Sequence, residues 1–445
     1  MKRILVLGAG MVAGAHVQYL LAQPEFQVTV AGRTVSKAQE VVGGHPRGEA
    51  RTLDITNEAA LETAIAEHDL AVSLLPWAFH PLVARLCVKH RRPMVTTSYV
   101  KEPMAALDGP AREAGVLLLN EMGVDPGIDH MTAMRVINKV RADQGRIVEF
   151  TSWCGGLPAP EANDNPFGYK FSWSPRGVLL AGVNNALYLD QCRQVYVDGK
   201  RLFEAAVPVM VEIEGRVTEL EGYPNRDSIP YMKTYGIQDA RRMFRGTLRN
   251  KGFSKIMAKL RDLGYLREDV GSGLSNLTFR EYTAWLARRG RGVGLDVKQA
   301  VADRLGVGVE DESIAAMDWL GLFNDEPLPI DKGAIVDVLT ERMLSKMCYR
   351  PGERDMLVLQ HQFLAEFPTR AERIESTMID FGQPGGFSSM SRTVGLPAAI
   401  GVKLILEGKL ALTGVHIPVL PEIYEPVLAE LEQLGLHFQE RWSTA

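Results

Sequence analysis

The sequence predicts an α/β fold in three parts: a doubly wound parallel sheet, an α+β domain with a mixed sheet, and an inserted all-α domain. Three observations carry that expectation. Over residues 1–125 short apolar runs alternate with helical patterns, as they do where a parallel sheet is covered on both faces. From 126 to 230 glycine, proline and asparagine become dense, which reads as long ordered loops on an α+β body. From 231 to 350 apolar residues recur at helical spacing.

The strands of the first part read as RILVLG (3–8), QVTVAG (27–32), EARTLDI (49–55), DLAVSLL (69–75), PMVTT (93–97) and VLLLN (116–120). The loop-rich part holds WCGGLPAPEANDNPFGYKFSWSPRG (153–177). In the helical part, Ile335, Leu339, Met343 and Met347 share one face, and Ile314, Met317 and Leu320 share another. Strands return after Pro351 as DMLVLQHQF and ERIESTMIDFG, expected to be neighbours in one sheet. The segment 384–410 is expected to be a helix, opened by serines and closed near Gly408. The expected layout is nested. Residues 1–125 and 390–445 form the dinucleotide-binding domain, 126–230 and 351–389 the α+β substrate and dimerisation domain, and 231–350 the helical domain.

Composition narrows the function classes. Fifty basic and 54 acidic residues give a net charge of −4, which offers no electrostatic footprint for nucleic acid or a membrane surface. The apolar run from Leu70 to Val88 is broken by Pro76, His80, Pro81 and Arg85 and does not read as a membrane span. The opening MKRILVLGAG has glycines where a signal peptide would carry its apolar region. Cys87, Cys154, Cys192 and Cys348 form no CxxC pair, so a reducing cytoplasm is expected and neither a disulfide framework nor a metal site is.

The glycine loop is GAGMVA: Gly8, Ala9, Gly10, Met11, Val12 and Ala13. Its first glycine allows a tight turn and its second lets a pyrophosphate approach. Ala13 permits close helix packing, and the helix start offers free N–H groups. Strand before and helix after make this a Rossmann-type dinucleotide motif. After the second strand, where NAD-binding proteins place an acid for the ribose hydroxyl, the chain reads AGRTVSK. Arg33 can clamp a 2′-phosphate, Thr34 can donate a hydroxyl, and Lys37 adds charge. NADP is therefore expected; an arginine stacked on adenine would leave NAD open. Ligands in such sheets lie at the carboxyl ends of strands. Those ends carry Asp54 and Ile55, then Leu75 and Pro76, then Thr97, Ser98 and Tyr99, then NEMGVDPGID (120–129). Two further segments, YPNRDS (223–228) and RGTLR (245–249), set Arg226, Arg245 and Arg249 among Asn225, Gly246 and Thr247 in turn-like contexts. Repeated arginine there suggests clamps for a substrate with several carboxylates.

Taken together, TTSYV, NEMGVDPGIDH, CGGLPAPEANDNPFGYKFSWSPRGVL, YPNRDS, RGTLR and GERDMLVLQHQF resemble the saccharopine reductase (saccharopine dehydrogenase, glutamate-forming) family over nearly the whole chain. The resemblance implies a homodimer that oxidises saccharopine at its secondary amine with a nicotinamide cofactor, giving glutamate and 2-aminoadipate 6-semialdehyde. It implies substrate contacts at Ser98, Tyr99, Asp125, Arg226, Thr247, Leu248 and Arg249. It also implies cofactor contacts at the Gly8–Ala13 loop, Arg33, Thr34, Asp54, Ile55, Leu75, Thr97, Ser98, Val124, Asp125, Pro126 and Ser174.

Hydride transfer requires the amine unprotonated. Asp125 is the candidate base or relay and Tyr99 the group that orients the nitrogen. Alternatively, Asp125 only binds the cationic amine and bulk water takes the proton. His130 reads as a structural residue at a helix start. Two other functions fit the scaffold. One is a carboxynorspermidine synthase-like imine reductase, whose diamine would call for acids in place of the arginines. The other is a non-catalytic NADPH-binding sensor with a protein partner.

Overall fold

A computed structural model of the chain describes residues 1–287 and 296–445. The span read as helical, 231–350, therefore includes eight positions, 288–295, that lie outside the described residues. The chain divides into two compact units. The first comprises Met1–Val148, Thr234–Ile237 and Leu359–Ala445; the second comprises Glu149–Lys233 and Gln238–Val358.

The first unit is built on a seven-stranded sheet. Its order is Gly414–His416, Leu117–Leu119, Met94–Thr96, Leu70–Ser73, Lys2–Leu7, Phe26–Gly32, Gly48–Thr52, and all its pairings are parallel. The cause is visible in the residues. Ile4 to Leu7 and Leu70 to Ser73 are buried without alternation, as expected when helices cover both faces. The direction of winding reverses beside Lys2–Leu7, which pairs with Phe26–Gly32 on one side and Leu70–Ser73 on the other. Such a reversal opens a crevice at the strand ends. The seventh strand, Gly414–His416, comes from the chain's last quarter, and helix Ser389–Leu406 before it lies against helix Ala13–Ala22. That helix is capped by Ser388, whose hydroxyl accepts from the Ser391 N–H at 3.0 Å. A Cβ on Gly395 would stand 3.0 Å from Val12 O and His16 N, so the two helices meet nearly backbone to backbone. The final strand, Gln439–Thr444, joins Ala371–Phe381 in a separate, mixed sheet.

In the second unit Val207–Ile213, Arg216–Pro224, Arg242–Asn250 and Arg146–Pro158 are successive neighbours. The first two pairings are antiparallel and the third is parallel. Two stretches read from sequence as loop or turn are strand: WCGGLP ends the 13-residue strand Arg146–Pro158, and RGTLR lies inside Arg242–Asn250. Their glycines mark close approach rather than chain reversal. A Cβ on Gly246 would fall 2.2 Å from the Trp153 ring and one on Gly222 2.5 Å from it. The indole lies across both glycines and tilts against Phe244, with centroids 4.8 Å apart. Gly246→Ala must push the ring off this seat. Overpacking of this kind costs about 1–3 kcal/mol, so a fall in thermal midpoint by circular dichroism is expected, with Thr247→Ser as the neutral control.

The helices of this unit bury the stripes read from sequence. Ile335, Leu339, Met343 and Met347 are all at most 3% exposed, and Ile314, Met317 and Leu320 at most 1%. They join Phe253, Leu260 and Tyr265 in one core. Among the described residues no helix is long and apolar enough to cross a membrane.

Candidate functional site

The residues singled out from sequence fall into two groups, one on each unit. On the first unit the glycine loop follows strand Lys2–Leu7. Gly8 adopts φ +109°, a conformation that side chains oppose, and a Cβ there would sit 3.0 Å from Leu74 O. A Cβ on Gly10 would meet nothing within 4 Å, which leaves its backbone open to a ligand. Met11 is exposed, whereas Ala13 is fully buried at the start of helix Ala13–Ala22. The N-cap residue Val12 gives that helix no side-chain cap, and the Ala15 N–H donates instead to Ser391 Oγ at 3.2 Å; the helix N-terminus still favours a phosphate through its dipole. These features fit a dinucleotide pyrophosphate.

Arg33 is exposed just beyond strand Phe26–Gly32. Thr34 stands at the N-cap of helix Val35–Val42 with its hydroxyl uncommitted to the helix. The Asp54 carboxylate accepts from the Thr56 N–H at 3.0 Å and the Thr56 hydroxyl at 2.8 Å. Those two bonds, with Arg33 a smaller contributor, hold its pKa below the usual carboxylate value. Asp54 is thus an ionised acceptor beside an exposed guanidinium. Ile55 is buried behind it and Leu75 is partly buried at its own strand end.

The neighbouring strands Met94–Thr96 and Leu117–Leu119 pair in parallel, so the segments that follow them emerge side by side. This brings Tyr99 to Asp125, with hydroxyl and carboxylate 2.6 Å apart. Val124 is buried, Asp125 is partly exposed, and a cis peptide joins Asp125 to Pro126. Gly127 then adopts φ +145°, where a Cβ would overlap Gly123 O at 2.0 Å. Thr97 and Ser98 are partly buried on the same segment as Tyr99.

Glu121 carried no expectation from sequence, yet it ties these segments together. Its N–H donates to Ser98 O at 3.3 Å, and its carboxylate accepts from the Val100 N–H at 2.8 Å. The same carboxylate meets His130 Nε2 at 2.7 Å, and His130 Nδ1 meets the Tyr235 hydroxyl at 2.6 Å. His130 is fully buried in helix Ile128–Ala142, which agrees with the structural reading of that residue. The only sequence signal for Glu121 was an acid at a strand end.

On the second unit, alternation along Arg242–Asn250 places Arg245, Thr247 and Arg249 on one face. Tyr223 is in register with Thr247. Arg249 is 4% exposed. Its guanidinium lies over the Tyr169 and Phe253 rings, 5.0 and 5.3 Å from their centroids. One Nη donates to Leu248 O at 2.8 Å, and the buried Nε finds no acceptor among the described residues. Among the described residues no carboxylate pairs with it. A buried cation is ordinarily paired, so this one marks a place for an anion. Arg245 is equally buried and lies over the Tyr231 ring at 4.3 Å. Leu248 is fully buried and Thr247 partly exposed. Arg226 occupies an exposed turn at φ +56°. Ser174, expected at the cofactor, is exposed on this unit at the N-cap of helix Pro175–Ala181.

A parallel sheet with an open glycine turn, an exposed arginine after its second strand and a tyrosine–carboxylate pair at its rim defines a dinucleotide-dependent oxidoreductase. Comparison with known proteins refines the class. A family model described as the saccharopine dehydrogenase NADP binding domain matches residues 4–119, and one described as the saccharopine dehydrogenase C-terminal domain matches residues 123–436. The chain belongs to the saccharopine dehydrogenase family. It is 39% identical to saccharopine dehydrogenase [NADP(+), L-glutamate-forming] of Schizosaccharomyces pombe and 38% identical to that of Saccharomyces cerevisiae, covering 99% of each chain in both cases. It is 37% identical to the mitochondrial alpha-aminoadipic semialdehyde synthase of Bos taurus, over 98% of this chain and 47% of that protein. The solved structure of apo saccharopine dehydrogenase (L-Glu forming) from Saccharomyces cerevisiae matches with a TM-score of 0.87 at 36% identity, covering all of both chains.

Proposed function

We propose that this chain is an NADP-dependent saccharopine dehydrogenase of lysine metabolism. It interconverts saccharopine with L-glutamate and 2-aminoadipate 6-semialdehyde. The observation that carries the reading is Arg249, a buried guanidinium without a carboxylate partner among the described residues, on a chain 39% identical to an enzyme named for this reaction. Saccharopine carries three carboxylates and one secondary amine. The reading assigns carboxylate recognition to Ser98, Arg226, Thr247, Leu248 and Arg249, and amine chemistry to Tyr99 and Asp125.

The cofactor would be held by the Gly8–Ala13 loop at its pyrophosphate and by Arg33 and Thr34 at its 2′-phosphate. Asp54 and Ile55 would meet the adenine, and Leu75, Thr97, Ser98, Val124, Asp125, Pro126 and Ser174 the remainder. When bound, NADP supplies the hydride acceptor. The chain's own residues position the amine: the Asp125 carboxylate attracts it in its cationic form, and the Tyr99 hydroxyl, 2.6 Å from that carboxylate, fixes the carboxylate's direction. Positioning of this kind contributes a large part of a hydride-transfer rate. The finer reading adds a homodimer in the cytoplasm and the nested division at 125, 230, 350 and 389. Cys87, Cys154, Cys192 and Cys348 form no disulfide, and Cys192 and Cys348 are exposed, which suits a reducing compartment.

Arg33→Ala tests the cofactor assignment. Losing a bidentate contact to a dianion is expected to raise the KM for NADP by about ten- to a hundredfold and to leave the KM for NAD within twofold. Equal effects on both would remove Arg33 from the phosphate. Steady-state NADPH oxidation with glutamate or with diaminopropane, each with its semialdehyde, separates this reading from a carboxynorspermidine synthase-like one. Turnover with glutamate alone is expected.

A further inference from the structure

Ser73, His80, Thr96 and Ser98 form a hydrogen-bonded chain behind the Tyr99 segment. His80 is 4% exposed, at the start of helix His80–Lys89. Its Nδ1 lies 2.8 Å from Ser73 Oγ and its Nε2 lies 2.8 Å from Ser98 Oγ. Thr96 Oγ1 is 3.4 Å from Nε2. Burial pushes the imidazole pKa down to about 4, so near neutral pH the ring carries a single proton.

The neighbours favour one nitrogen for that proton. Thr96 donates its one hydroxyl hydrogen to Ser73 O at 2.8 Å. Toward His80 its oxygen can therefore only accept, which favours the tautomer with the hydrogen on Nε2. Nδ1 is then an acceptor, and Ser73 Oγ, fully buried and 2.8 Å from it, satisfies its own hydrogen by donating to it. At the other end Ser98 Oγ receives the Nε2–H. Its lone pair is engaged by the ring, and its hydrogen is left for a group outside the chain.

We propose that His80 is a positioning residue that fixes Ser98 Oγ as a hydrogen-bond donor to a carboxylate oxygen of the bound substrate. In the sequence His80 stood out only as a break in the apolar run from Leu70 to Val88. The fold instead gives it a directional role: an imidazole favouring one tautomer turns a freely rotating hydroxyl into an aimed donor. The proposal rests on the saccharopine reading and on Ser98 facing the substrate, and the test separates those layers.

Ser98→Ala, His80→Phe, His80→Gln and the double variant His80→Phe/Ser98→Ala are compared by KM for saccharopine, kcat and NADPH affinity from fluorescence. A hydrogen bond to a charged group is worth about ten- to a hundredfold in affinity, so Ser98→Ala and His80→Phe are each expected to raise the saccharopine KM about tenfold or more. The double variant should do no worse than Ser98→Ala alone, because both changes remove one interaction. His80→Gln, which keeps a donor at the Nε2 position, should recover most of the loss. An unchanged circular dichroism spectrum and melting midpoint show that the variants are folded. Loss in Ser98→Ala with a normal KM in His80→Phe would overturn the positioning role and leave the substrate reading standing. Additive losses in the double variant would overturn it too. A normal KM in Ser98→Ala would overturn the placement of Ser98 against the substrate.

Discussion

Arg249→Met is expected to weaken saccharopine binding by about two orders of magnitude or more while raising the thermal stability of the ligand-free protein. Both effects follow from one fact: the guanidinium is 4% exposed and no carboxylate among the described residues pairs with it. The flanking Tyr169 and Phe253 rings and the Leu248 carbonyl offset part of the desolvation penalty, but they do not neutralise the charge. Methionine fills similar volume and removes the charge, so the apo protein is expected to gain about 1 kcal/mol, a rise of roughly 1 °C in the melting midpoint of a chain this long. The same change strips a buried charge pair from the complex. Truncating one partner of such a pair costs about 2–5 kcal/mol, so kcat/KM for saccharopine should fall by about two orders of magnitude or more. NADPH affinity should not move. Differential scanning calorimetry and steady-state kinetics check the two halves. A lower melting midpoint with intact saccharopine kinetics would make Arg249 a structural residue.

The second large effect is expected at Asp125. Asp125→Asn preserves shape and removes the charge, leaving Tyr99 with a weaker acceptor. If the carboxylate takes or relays the amine proton, kcat at saturating saccharopine falls by about a hundredfold or more. Tyr99→Phe, which removes only the orienting bond, should cost about tenfold. If Asp125 merely attracts the cationic amine, KM rises and kcat stays. The same variant measured at rising pH discriminates further: as bulk solvent deprotonates more of the amine, a variant lacking its base recovers activity. Recovery with pH in Asp125→Asn, absent in Tyr99→Phe, is the expected pattern.

How far these sites were legible depended on the range of the interactions that make them. The glycine loop is local: turn, helix start and Gly8 dihedral are set within a dozen residues, and the motif announces them. Tyr99 and Asp125 lie 26 residues apart, but each follows a strand of a parallel sheet. Once the sheet order is inferred their meeting is forced. The arginine strand was misread as a turn because Gly246 was taken as a reversal. Its cause is Trp153, 93 positions earlier, whose ring needs the space. The double glycine at 155 and 156 misled in the same way, since a Cβ on Gly155 would press Leu248 O at 2.6 Å. Nothing in the sequence joined Glu121 and His130 to Tyr235, which reaches them across 105 positions. Burial decided the remaining case. Arg249 looks like any loop arginine until its surroundings are known to be rings rather than water.

The most direct measurement follows NADPH consumption with L-glutamate and 2-aminoadipate 6-semialdehyde, with the product identified by mass spectrometry. NADPH oxidation matched one to one by saccharopine, and reduced by about two orders of magnitude or more in Arg249→Met, is the expected result. Tight NADPH binding without turnover, or turnover in which a diamine replaces glutamate, would contradict it.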